Sequence, residues 1–139
     1  MSALVNYEVT QILFKMGVKA STKGYGYLRE AILMVIEDPD IINAVTKEFY
    51  PAIAEKHNDT WLKVERAIRH AIETSWDEIT VEWLNDNLMT NFTASKKPCN
   101  SEFIATVADS IRVFREVGKN VFASTQNEIQ QGLPQETRG

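Results

Sequence analysis

At 139 residues and 44% hydrophobic content, the chain is long enough for one domain with a full core and too apolar for disorder. Its formal net charge is −4, so any nucleic-acid contact depends on basic residues gathered on one face rather than on the total. The single cysteine, Cys99, excludes an intrachain disulfide, and with only His57 and His70 to join it a Cys/His zinc site is not expected. Residues 1–17 lack the basic-then-apolar order of a signal peptide, and no apolar run approaches the roughly 20 residues that span a bilayer. The expectation is a soluble cytoplasmic protein with no membrane contact.

Helical spacing dominates from the start. Val5, Val9, Ile12, Leu13 and Met16 recur at helical intervals, and Gly17 can end that first helix. After a link over Val18–Gly24, residues Tyr25–Glu37 place Tyr27, Leu28, Ile32, Leu33 and Ile36 on a strongly apolar helix. Asp38-Pro39-Asp40 reads as a stop and restart, with the aspartates as caps and a short helix over Ile41–Val45. Thr46–His57 is a further helix with Phe49, Tyr50, Ile53 and Ala54 inward; Pro51 fits it only near a first turn. The polar turn His57-Asn58-Asp59-Thr60 offers Asp59 or Thr60 as the next cap.

The helix over Thr60–Trp76 has the clearest division of faces. At about 100° per residue, Val64, Ala67, Ile68, Ala71 and Ile72 form one stripe, and Lys63, Arg66 and His70 fall opposite, flanked by Glu65, Arg69 and Glu73. A helix lying in a major groove needs this division, with one face anchored and the other offering long donors. Arg66 suits bidentate bonding to guanine, Lys63 guanine or phosphate, and Glu65 a cytosine amine. Arg69 and His70 suit the DNA backbone, and Thr60 with the first-turn N–H groups could hold a phosphate. The same charges also fit a solvated face, with Glu65–Arg69 and Arg69–Glu73 as ordinary i,i+4 pairs. Beyond it, Trp76–Thr80 reads as a break, Val81–Met89 as a short helix and Asn91–Cys99 as a loop. Asn100 or Ser101 caps a helix over Glu102–Val117 that Gly118 closes. Asn120–Gln131 is a weak helix before a frayed tail.

Four blocks resemble the effector-domain family of the stage-zero sporulation response regulator. They are Lys23-Gly24-Tyr25-Gly26-Tyr27-Leu28-Arg29-Glu30-Ala31-Ile32, Thr46-Lys47-Glu48-Phe49-Tyr50-Pro51-Ala52-Ile53-Ala54, Val64-Glu65-Arg66-Ala67-Ile68-Arg69-His70-Ala71-Ile72-Glu73 and Lys97-Pro98-Cys99-Asn100-Ser101-Glu102-Phe103-Ile104-Ala105. They keep the family's order over about Val9–Val117. The resemblance implies an all-α, compact bundle of about six helices containing a helix-turn-helix that binds short, often tandem, promoter boxes. It implies double-stranded DNA as the partner, with RNA polymerase and a homodimer on tandem sites as further partners. By matching position, Glu65 and Arg66 take base-reading roles, and Arg69 and His70 support phosphate contacts. Lys63 stands where the family has arginine, keeping the charge and losing the bidentate fork. Trp61 and Leu62 replace small residues. No segment is long enough for the family's receiver domain, which leaves an excised effector domain or a free-standing paralogue.

The domain reading is therefore 1–118 as the DNA-binding unit and 119–139 as a C-terminal extension that packs, dimerises or stays free. Gly24-Tyr25-Gly26 has no preceding strand and reads as a helix start, not a phosphate loop. Lys97, with Lys96, could clamp a phosphate. No catalytic, cofactor or metal constellation is expected, and the protein reads as a non-enzyme. The alternative function is a protein-interaction module or antagonist that keeps the fold and binds a transcription regulator or polymerase subunit.

Overall fold

The computed structural model describes residues 3–44 and 48–118, and these form an all-α bundle of six helices. The weak helix expected over Asn120–Gln131, and the tail after it, lie outside the described residues. Helix α1 (Ala3–Met16) buries Val5, Val9, Ile12, Leu13 and Met16 along one stripe. Gly17 stops it at φ +83°, where the Gly17 N–H reaches the Phe14 carbonyl and the Val18 N–H the Leu13 carbonyl. Those two bonds make a Schellman end, which needs a left-handed residue at that point.

Helix α2 (Lys23–Glu37) is the central element, packed against α1, α3, α4, α6 and the segment that follows it. Leu28 and Ile32 at its middle are fully buried. It starts two residues before Tyr25 because the Thr22 hydroxyl accepts the Tyr25 N–H. The short helix expected over Ile41–Val45 is instead a 3-10 segment, Pro39–Ala44. Asp38 does cap it, accepting the Asp40 N–H, and Pro39 occupies the first position, where its missing donor costs nothing. Val45 is outside the described residues.

Helix α3 (Tyr50–Lys56) has Pro51 in its first turn, as its lost N–H requires, and a π turn over 48–49 leads into it; Thr46 and Lys47 of the expected Thr46–His57 lie outside the described residues. Phe49, Tyr50, Ile53 and Ala54 are all buried. Helix α4 (Trp61–Ser75) follows the turn, and helix α5 (Glu78–Leu88) begins earlier than the expected Val81. Asp77 explains that correction: its carboxylate accepts the Thr80 N–H at 2.7 Å, so Trp76 and Asp77 alone make the break. Met89 ends α5 in the left-handed region at φ 56°. The loop to α6 is braced by Asn85, whose side chain bonds Thr90 and the backbone of Phe92. Trp76 packs edge-on against Phe92 and Phe103.

Helix α6 (Asn100–Glu116) buries Phe103, Ile104, Val107, Ala108 and Ile111, and its Ser110 hydroxyl donates to the Leu88 carbonyl. Neither Asn100 nor Ser101 caps it. The cap position belongs to Cys99, which makes no side-chain capping bond, and Asn100 is turned inward for another purpose. Gly118 closes the helix at φ +78°. Among the described residues, no helix is long and apolar enough to cross a membrane.

Candidate nucleic-acid interface

The turn between α3 and α4 is built by backbone geometry. Asn58 sits in the left-handed region at φ 54°, with its N–H on the Glu55 carbonyl and the Asp59 N–H on the Ala54 carbonyl at 2.8 Å. This is again a Schellman end, with asparagine taking the place that glycine holds after α1, and it reverses the chain within four residues. The start of α4 is then pinned twice. The Thr60 hydroxyl accepts the Lys63 N–H at 3.3 Å, which makes Thr60 the side-chain cap.

Asp59 does a different task. One carboxylate oxygen accepts the Thr60 N–H at 2.8 Å and the other accepts the Tyr27 hydroxyl at 2.6 Å, so the carboxylate ties the turn to α2. The Tyr27 bond, then the Thr60 bond, hold the Asp59 carboxyl below the usual carboxylate range. Burial first, then Asp59, push the Tyr27 hydroxyl up to about 12. The Tyr27 ring also meets His57 edge-on, with centroids 5.2 Å apart, and His57 contacts Glu30 at 2.9 Å.

Helix α4 buries Val64, Ile68, Ala71 and Ile72, as its stripe predicts, with Ala67 half-buried. Gly24 lets it approach α2: an added Cβ there would lie 2.6 Å from the Ala67 carbonyl oxygen. On the opposite face Lys63, Arg66, Arg69 and His70 are exposed. Among the described residues neither Lys63 nor Arg66 joins an ion pair, so both donors are free for a ligand.

Glu65, Arg69 and Lys97 are instead tied within the protein. Arg69 Nη1 lies 3.3 Å from Glu65 Oε2, and Lys97 Nζ lies 2.7 Å from Glu73 Oε2. Lys97 thereby holds the Glu73 carboxyl below its ordinary range. Glu65, Arg69 and Lys97 share an open groove of about 620 Å³ with Trp61, Tyr50 and Asn100. His70 lies on the other flank, near Gly24 and Thr22. Of the seven residues predicted, three therefore meet around one groove, Thr60 caps the helix, and Lys63 and Arg66 stand outward.

Asn100 is a positioning residue that sequence reasoning reads only as a helix cap. Its buried side-chain amide donates to the Tyr50 hydroxyl at 3.1 Å and to the Glu65 carbonyl oxygen at 3.0 Å, and approaches Glu65 Oε2 at 3.5 Å. It joins the start of α3, the outer flank of α4 and the first turn of α6. Burial pushes the Tyr50 hydroxyl's pKa up, and the Asn100 bond partly offsets that. Charge is also segregated by helix. The exposed residues Glu78, Glu82 and Asp86 follow one another at i,i+4 on α5, which has no basic residue, whereas α4 carries Lys63, Arg66 and Arg69. The net charge of −4 thus coexists with a locally basic α4.

A short helix, a tight four-residue turn and a second helix with an apolar inner face and a basic outer face compose a helix-turn-helix. A family model described as sporulation initiation factor Spo0A C terminal matches residues 9–111, which include all of α2 to α5, and the chain belongs to that family.

Proposed function

We propose that this domain is a sequence-specific DNA-binding transcription regulator that reads the major groove of duplex DNA with α4. The family is one of DNA-binding transcription-factor effector domains rather than enzymes. The observation that carries the finer reading is the outward face of α4. Lys63 and Arg66 are exposed there without an internal ion pair, on a helix whose opposite face is locked into the core. Arg66 takes the bidentate role toward guanine, and Lys63 donates to guanine or phosphate. Glu65, oriented by Arg69 and Asn100, accepts from a cytosine amine through its second oxygen. Arg69, His70 and Lys97 flank the phosphates, and the α4 N-terminus at Thr60 faces the same polyanion.

A second reading has its own support. Arg69 and Lys97 are each matched by a carboxylate, and Trp61 and Leu62 expose apolar surface beside them. Those features suit a protein-interaction module that binds another transcription regulator or a polymerase subunit. Titration against a duplex with the family's promoter box and a scrambled duplex, at two salt concentrations, separates the readings. Base readout predicts preference for the box that Arg66→Ala abolishes, costing roughly tenfold or more in discrimination. It also predicts a log–log salt slope of about −0.9 for each phosphate neutralised. No binding to either duplex at low salt refutes the DNA reading.

A further inference from the structure

Leu62 is 45% exposed in the first turn of α4, and neither it nor Trp61 belongs to the buried core cluster or the side chains packed on it. At about 100° per residue, Leu62 and Arg66 are separated by about 40° around the helix, so they share its outward face. Lys63, Arg69, His70 and Glu73, all exposed, complete that face. A leucine there lies outside the buried core. It also cannot act as a donor or acceptor, so its only available contact is apolar.

The charges around Leu62 indicate what that contact meets. The cationic Lys63 and Arg66, one and four residues further along α4, suit a polyanion, and the N-terminal residues of such a helix are those that reach base edges. In the major groove of duplex DNA the one apolar group presented is the C5-methyl of thymine. We infer that Leu62 is a specificity-determining residue that packs on a thymine methyl, next to the base read by Arg66. This rests on the reading of α4 as the base-contacting helix. The four residue steps from Leu62 to Arg66 rise about 6 Å along the helix, so the thymine lies within about two base steps of the Arg66-dependent guanine.

The test uses the whole chain and a pool of duplexes with a randomised central segment, selected in parallel with Leu62→Ala and Arg66→Ala. The parent should enrich a guanine that Arg66→Ala loses and, within about two steps of it, a thymine that only Leu62→Ala loses. Deoxyuridine differs from thymidine by that methyl alone. Placing it at the thymine should weaken the parent about fourfold, the worth of one methyl removed from water, and leave Leu62→Ala unchanged. Leu62 is exposed, so Leu62→Ala keeps the core intact. An Arg66-dependent guanine with no deoxyuridine effect at any thymine overturns the leucine contact alone. Enrichment of no duplex, or of one that Arg66→Ala leaves unchanged, overturns the base-readout reading with it.

Discussion

Gly24→Ala tests whether α4 is held where the core stripe alone would put it or closer. The added Cβ would meet the Ala67 carbonyl oxygen at 2.6 Å and the Ala71 Cβ at 3.2 Å. Ordinary carbon–oxygen contacts begin at about 3.3 Å, so α2 and α4 must separate by roughly 0.7 Å. The obstructing atom belongs to the backbone of α4, and no side-chain rotation relieves it. Overpacking of this kind costs about 1–3 kcal/mol. Helix propensity acts in the opposite direction, favouring alanine over glycine by up to about 1 kcal/mol, and less near a helix start. The contact should win by about 1–2 kcal/mol. Gly26 is the internal control, since a Cβ there meets nothing within 4 Å, and Gly26→Ala should therefore stabilise. Urea unfolding followed by circular dichroism should show a midpoint lowered by about 0.5–1 M for Gly24→Ala at unchanged slope, and raised for Gly26→Ala. Two shifts of the same sign would refute the close-approach argument.

Thr60→Ala removes the oxygen that caps α4 and should cost about 1 kcal/mol, read as a urea midpoint lowered by about 0.5 M. The Tyr27–Asp59 bond should appear in the pH dependence of stability. The Asp59 carboxyl sits below its unfolded value of 3.8, so its contribution is present above that pH and is lost as pH falls through the folded value. The Tyr27 hydroxyl is raised, so its contribution is full below pH 10 and is lost between 10 and about 12. Thermal unfolding of Tyr27→Phe should therefore show flatter limbs at both extremes than the parent; identical limbs would mean that the bond is not maintained in solution.

Much of this architecture was legible because it is local. Gly17 after Met16, Pro51 near a helix start and the Val64–Ile68–Ile72 stripe each act through their own few neighbours, and α1, α3 and α4 follow from them. The exposed Arg66 and Lys63 followed from the same stripe, since burying one side of a helix leaves the other in water. The errors arose where one residue type serves two purposes. Asp77 stands three residues before the Thr80 N–H that it accepts, but an aspartate in a polar break reads equally as a turn residue or as a cap. Asn100 stands before an apolar periodic run, as a capping residue does, and nothing local distinguishes a cap from an amide aimed at Tyr50, fifty positions earlier. Glu65–Arg69 was visible at i,i+4 spacing, whereas Glu73 meets Lys97 from across 24 positions, a distance that pattern reading does not bridge.

The Asn100 amide also governs a degree of freedom that apolar packing controls weakly. Dispersion and the hydrophobic effect are non-directional, so a helix seated only on Val64, Ile68 and Ile72 could roll by several degrees at little cost. A donor shared between the Tyr50 hydroxyl and the Glu65 carbonyl is satisfied at one angular setting, and leaving it unsatisfied in a buried position costs about 1–3 kcal/mol. Rolling α4 by 10° would swing the tip of an arginine about 10 Å from the axis by roughly 1.7 Å, more than half the length of a hydrogen bond. Under the proposed reading, the aim of Arg66 is therefore set from a different helix, by an amide that need never touch the DNA.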